Sequence, residues 1–229
     1  DVMNANLDSL RVNQYSMAVP YNLGIEQLLF SYGVRINTDL LLDASCGIIK
    51  IYTTPFGNQQ KLETFPWYFE PVSIPFSSHP IVNNIDPVHF KFASSIDTLS
   101  TDDIRKTVLL TTSPYTRIFK NPARIDMDIV NIDINFDKST TPNRFLSILL
   151  EGKFQSAFKD RLLIPKSKLD SLGYREVGQP SAQIVVSDGD VIANRVDQRQ
   201  GMYYTLGYDR YTGRKIYGNK EFLINAVNY

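Results

Sequence analysis

Cysteine is almost absent: Cys46 is alone in 229 residues, so no internal disulfide can staple the chain. A lone thiol withholds support for an oxidising compartment without excluding one. Histidine occurs twice, as His79 and His89, with no spacing that builds a zinc site. Neither sign of charge is in excess, with 24 Lys+Arg against 24 Asp+Glu. A nucleic-acid-binding chain shows a basic surplus, so that class is set aside. No apolar run approaches the roughly 20 residues that cross a bilayer, and no secretory leader is visible. Phosphate-binding glycine loops, dinucleotide fingerprints and zinc-ligand spacings are also missing. The chain starts at Asp1 and stops at Tyr229 inside a helical pattern. Both ends therefore read as cut, and targeting or anchoring segments are expected outside this fragment.

What is present is enough for a core. Hydrophobic residues make up 43% of the chain, which argues against wholesale disorder. Tyr and Phe number 13 each and suit strands as well as contact surfaces. With no internal repeat, low-complexity tract or flexible linker, one domain spanning 1–229 is the simplest division.

The pattern from Asn22 to Tyr32 predicts an amphipathic helix, with Asn22 as N-cap and Gly33 at its left-handed end. Val34 to Ile36 and Leu40 to Leu42 follow as extended chain. Helix, glycine and strand in that order read as the second half of a βαβ unit whose first strand lies before Asp1. Gly47 to Thr54 is a β-branched strand closed by a turn at Pro55 to Asn58. Phe65 to Pro75 is aromatic and proline-rich, as short strands or a packed loop. Strand signals recur over Phe90 to Ile96 and Thr107 to Thr112. Ile125 to Phe136 alternates apolar and polar residues with one slip between Ile129 and Ile132, a bulge or turn. Arg144 to Leu150 suits a buried strand, with a helix onward through Leu162 as the alternative. Gln183 to Val186 predicts a buried interior strand, Ser187 to Asp190 its turn, and Asn219 the cap of a final helix. These elements predict an α/β domain with a mixed, largely parallel sheet and flanking helices. β-hairpin excursions are expected around 47–80 and 107–140.

Three blocks carry a resemblance. The first is the closing Ile184-Val185-Val186-Ser187-Asp188-Gly189-Asp190, Leu206-Gly207-Tyr208-Asp209-Arg210-Tyr211 and Gly218 to Tyr229. The second is Leu28-Leu29-Phe30-Ser31-Tyr32-Gly33-Val34-Arg35-Ile36, preceded by Leu7-Asp8-Ser9-Leu10. The third is Gly152-Lys153-Phe154-Gln155-Ser156-Ala157-Phe158. Together they resemble the gliding-motility ABC transporter accessory family (GldG) over most of the chain. That resemblance implies a fold similar to the class I glutamine-amidotransferase-like (flavodoxin-like) type. It implies an accessory or substrate-binding role at the periplasmic face of a bacterial inner membrane. The partners it implies are an ABC permease and its ATPase. Fold relatives of that type include domains thought to bind carbohydrate, so an envelope carbohydrate-binding module is the alternative, and an amidotransferase-like hydrolase ranks behind both.

The residues themselves offer little chemistry. Cys46 leads into a strand, whereas a nucleophile needs a sharp strand-to-helix turn and a base, so a structural thiol is the better reading. His79 and His89 read as loop residues. Asp126/Asp128 and Asp102/Asp103 read as solvated faces. Asp188 and Asp190 follow a strand, where they either hold a polar ligand or cap local amides. Tyr208, Arg210 and Tyr211 carry the amphipathic area typical of contact anchors, or else tie their loop to the sheet. Asp188, Asp190, Tyr208, Arg210 and Tyr211 are accordingly the candidate binding residues. No catalytic residue, cofactor or metal is expected.

Overall fold

The computed structural model describes residues 2–4, 10, 12–53, 60–101, 103–132, 134–136, 143–159, 166–197 and 201–229. In chain order the strands are β1 (Met3–Asn4), β2 (Tyr15–Pro20), β3 (Val34–Ile36), β4 (Asp39–Asp43), β5 (Cys46–Thr53), β6 (Lys61–Ser73), β7 (Val88–His89), β8 (Ile96–Thr98) and β9 (Ile104–Thr111). They continue as β10 (Thr116–Lys120), β11 (Ala123–Asp126), β12 (Phe145–Gly152), β13 (Ser181–Val186), β14 (Val196–Asp197), β15 (Met202–Tyr203), β16 (Tyr208–Asp209) and β17 (Arg214–Lys215). Short α-helices cover Glu26–Ser31 and Lys166–Ser171, and a longer one covers Asn219–Asn228.

Every strand pairing among the described residues is antiparallel. The strands form several small sheets: β1-β2-β11, β4-β10, β5-β6-β7, and a five-stranded sheet ordered β13-β12-β8-β3 in which β9 also pairs with β12. This overturns the expected α/β, largely parallel, flavodoxin-like arrangement. Parallel neighbours need crossover helices with a broad buried face. Here Glu26–Ser31 buries no residue fully, and the last helix buries only Asn219 and Phe222. The helix–Gly33–strand passage is not half of a βαβ unit either, because β3 runs antiparallel to β8. Residues 15–20 form the centre of the β1-β2-β11 sheet, with partners on both sides.

Three apolar clusters hold these sheets together, and β4 joins two of them. Its residues Leu40 and Leu42 face Trp67, Phe69 and Ile125, while Leu41 faces Phe90, Leu109 and Leu149. That is the period-two alternation of a strand buried on both sides. β12 behaves similarly but with a twist of phase. Its register with β9 shifts between Phe145 and Ser147, where β12 carries the extra residue Leu146, and again between Ser147 and Ile148, so Leu146 and Leu149 share one cluster while Ile148 and Leu150 enter another. An extra residue on one strand re-aims every side chain beyond it. Buried carboxylates pin the ends of β4: Asp39 accepts from Ser95 N at 2.8 Å, and Asp43 accepts from Ser113 N at 2.7 Å.

Several boundaries differ from expectation. The helix expected over Asn22 to Tyr32 starts only at Glu26, and Asn22 instead accepts from Gly24 N at 2.9 Å in a local turn. Phe65 to Pro75 is mostly one strand, β6. The strand expected over 90–96 is absent: β7 ends at His89, β8 begins at Ile96, and the stretch between them is irregular, with Phe92 at φ 50°. The alternation after Ile125 becomes a 3₁₀ turn at Met127–Asn131, whose N-cap Asp126 accepts from Asp128 N at 3.1 Å. Arg144 to Leu150 does extend as the strand β12. β13 is an edge strand with only Val185 fully buried, not an interior one. Its sequence is apolar enough for an interior place, but β12 is already paired on its other side by β8 and β9. Gly218, not Asn219, occupies the N-cap of the last helix. The turn expected at 55–58, Asp102, and the helix alternative beyond residue 159 toward Leu162 lie outside the described residues.

Candidate functional site

An open cavity of about 830 Å³ lies where β5, β6, the 3₁₀ turns and the 205–219 segment converge. Its size falls within the range of ordinary ligand pockets, roughly 300–1,000 Å³. Four of the five nominated residues, Asp190, Tyr208, Arg210 and Tyr211, line it.

Asp188 does not line it. The residue is buried as N-cap of the 3₁₀ turn Gly189–Ile192, and both its oxygens are engaged. Asp190 N donates to Oδ1 at 2.8 Å, and Lys91 N donates to Oδ2 at 2.6 Å. Burial pushes its carboxyl up to about 6 despite those two amide bonds. Asp188 thus takes the amide-capping role and fastens the turn to the segment after β7. Asp190 reaches the cavity half-exposed, with one oxygen 3.8 Å from Lys91 Nζ, a loose pair of small energetic weight.

The Tyr–Arg segment is organised by Asp209. Its buried carboxylate accepts from Tyr211 N at 3.2 Å and Thr212 N at 2.9 Å, closing the β16-β17 hairpin. Gly207 makes the entry possible. It sits at φ 81°, and a Cβ there would meet Tyr217 O at 2.0 Å. Tyr208 stacks on Tyr204 with centroids 4.3 Å apart. The Arg210 guanidinium lies over the Tyr211 ring at 4.3 Å and bonds its hydroxyl. Lys50 of β5 donates to Tyr211 O at 3.1 Å, which ties the hairpin to the opposite wall.

Sequence reasoning missed the floor of the cavity. His89 Nε2 lies 3.1 Å from Glu70 Oε2, and the His89 ring stacks on Tyr217 at 4.6 Å. Burial, and then the nearby Asp209 and Glu70 charges, push the Tyr217 hydroxyl up to about 12. Asn219 fastens this floor: its Oδ1 accepts from His89 N at 3.0 Å, while Nδ2 donates to His89 O at 2.8 Å and Val191 O at 3.3 Å. Glu70, His89 and Asn219 are widely separated in the chain, so no local spacing exposes them. Only the Asp-x-Tyr-Thr-Gly turn chemistry around Asp209 carried a readable signal.

The other residues weighed stand elsewhere or do other work. The His79 ring packs tilted against Tyr229 with centroids 4.8 Å apart, and its Nδ1 accepts from Ile81 N at 3.3 Å. Asp126 pairs with Arg124 at 2.7 Å, while Asp128 faces the cavity. Burial pushes the Cys46 thiol up to about 12, which removes the thiolate a nucleophile requires. No metal-holding group of His, Cys, Asp and Glu occurs among the described residues. No helix among them is long and apolar enough to cross a membrane.

A family model described as an ABC-type uncharacterized transport system, of the auxiliary kind, matches residues 1–226. No curated protein and no solved structure matches the chain.

Proposed function

Because the chain belongs to this auxiliary family of ABC-type transport systems, we propose that it is a non-catalytic binding component that works through the cavity. The observation that carries the reading is the convergence of Asp190, Tyr208, Arg210 and Tyr211 on one opening of about 830 Å³. Aromatic and guanidinium groups held by a fixed hairpin are what contact anchors require. A thiol without ionising tendency and a His89–Glu70 pair closed over by Tyr217 fit a binding floor better than an acyl-transfer centre. The finer placement is with the gliding-motility branch, at the periplasmic face of the inner membrane, beside a permease and an ATPase. Its support is the sequence resemblance of the three blocks. A carbohydrate ligand is the second reading, favoured by the stacked Tyr204–Tyr208 pair near the opening.

The test is recovery of the permease with the membrane-anchored protein and with its Arg210→Ala and Tyr211→Ala variants. Loss of a central anchor costs about 2 kcal/mol, or roughly thirtyfold in affinity. Permease recovery should therefore collapse while the melting temperature holds within about 2 °C. Undiminished recovery with both variants rejects this surface. A lowered melting temperature with unchanged affinity of the folded fraction assigns the residues to packing.

A further inference from the structure

We infer that the cavity receives an extended, acidic polypeptide segment, which adds as a strand to the free edge of β5; this rests on the binding role proposed above. Five consecutive residues, Ile48 through Tyr52, line the cavity. Side chains of a strand alternate between its faces, so a pocket on one face would touch every second residue. Contact with all five means that the cavity runs along the strand's edge. Among the described residues β5 pairs with β6 only, and no backbone hydrogen bond engages its other side.

The phase of that edge follows from a proline. Pro66 lies opposite Ile48 and has no N–H to give. The β5-β6 ladder keeps its bonds when this pair is one of the non-hydrogen-bonded ones. With that phase the N–H and C=O groups of Ile48, Lys50 and Tyr52 turn away from β6, along the cavity. They repeat about every 7 Å, the two-residue spacing of a strand. An extended peptide presents complementary groups at the same spacing, as in strand addition to exposed sheet edges. A sugar has no such repeat of alternating donors and acceptors.

Charge selects among peptides. Lys50, Arg195 and Arg210 reach the cavity with no carboxylate partner among the described residues. The acidic groups of the wall are largely occupied: Glu70 by His89, Asp209 by two backbone amides, Asp190 by Lys91. Among the described residues, Asp128 is the one carboxylate of the cavity wall whose oxygens have neither a hydrogen-bond nor an ion-pair partner. Three cations without a carboxylate partner, against one carboxylate without any partner, favour an acidic segment.

The experiment is selection of random ten-residue peptides displayed on phage against the folded wild-type chain, followed by synthesis of the enriched peptides. Enrichment of acidic sequences is expected, with at least tenfold weaker binding to an Arg195→Glu/Arg210→Glu variant. Bound peptide should slow hydrogen exchange of the Lys50 and Tyr52 amides at least tenfold, a readout on the wild-type chain that needs no edge variant to fold. N-methylation of alternate peptide amides should abolish binding on one phase and spare it on the other. Failure to enrich acidic peptides, binding without protection of those amides, or indifference to N-methylation on both phases overturns the proposal. Maltoheptaose or cellohexaose bound in a Tyr211-dependent way, with no peptide enriched, replaces it with the carbohydrate reading. Loss of permease recovery in Arg210→Ala with no peptide enriched removes the strand occupant and keeps the accessory role. Intact recovery alongside acidic-peptide binding does the reverse.

Discussion

Asp188 shows how one side chain can look like a site and serve as a joint. A carboxylate after a strand, beside Gly189, has the form of a ligand group, yet both oxygens are spent on Lys91 N and Asp190 N. Its burial has a measurable consequence. The carboxyl is raised from 3.8 to about 6, so the folded state holds a proton that the unfolded chain has released across that interval. Folding stability from this group is therefore complete below about pH 4 and falls as pH rises through 6. A shift of about two pH units corresponds to about 3 kcal/mol. The difference in unfolding free energy between wild type and Asp188→Asn, measured by denaturant titration from pH 4 to 7, should drift by up to that amount. A flat difference would mean that the two amide bonds keep Asp188 ionised throughout. Asp190, two residues on, kept the ligand-facing position that the sequence assigned to both.

At the scale of elements, the last helix is held as much by a polar clamp as by its apolar face. Asn219 reaches across to both backbone groups of His89 and to Val191 O, and Phe222 is buried in the cluster that holds Phe90 and Leu149. Asn219→Ala should cost about 2–3 kcal/mol, since it leaves buried backbone groups of His89 and Val191 unpaired. Asn219→Asp should do no better, because a carboxylate then faces two carbonyls. Both are read from denaturation midpoints. The helix itself was legible from its apolar spacing, as were the strands β5, β9 and β12. Their side-chain alternation is local and survives in any fold. What could not be read was direction. An apolar run such as Gln183 to Val186 looks alike in a parallel interior and on an antiparallel edge. The difference is decided by partners such as β12, which are distant in sequence. The βαβ reading failed for the same reason: a helix, Gly33 and a strand say nothing of which way β8 runs beside β3.

Across the whole molecule, the cavity is a product of distance in sequence. Its walls come from the segment near Gln14, from β5 and β6, from the stretch after β7, from the turn after β11, and from Asp190 to Arg195, residues 205–211, Tyr217 and Asn219. Tyr208, Arg210 and Tyr211 were nominated by composition, whereas Lys50, Glu70 and His89 acquire meaning only when these segments meet. The same assembly makes the C-terminal helix indispensable. Deleting residues 218–229 strips Phe222 from its cluster, a loss of about 3–5 kcal/mol by analogy with aromatic truncations. At about 2–4 °C per kcal/mol for a chain of this size, the melting temperature should fall by roughly 10 °C or more. Calorimetry on the shortened chain checks this. A melt unchanged within about 2 °C would show that the helix is an appendage.

Trp67 is the chain's single tryptophan, 3% exposed, packed edge-on against Phe69 at 5.3 Å and forming part of the cavity wall. The molecule thereby carries its own optical reporter at the place where a ligand would arrive. Excitation of that indole reads one environment, undiluted by others elsewhere in the chain. Occupancy of the opening can be followed as a change in its emission, without a label and in the presence of any partner that lacks tryptophan.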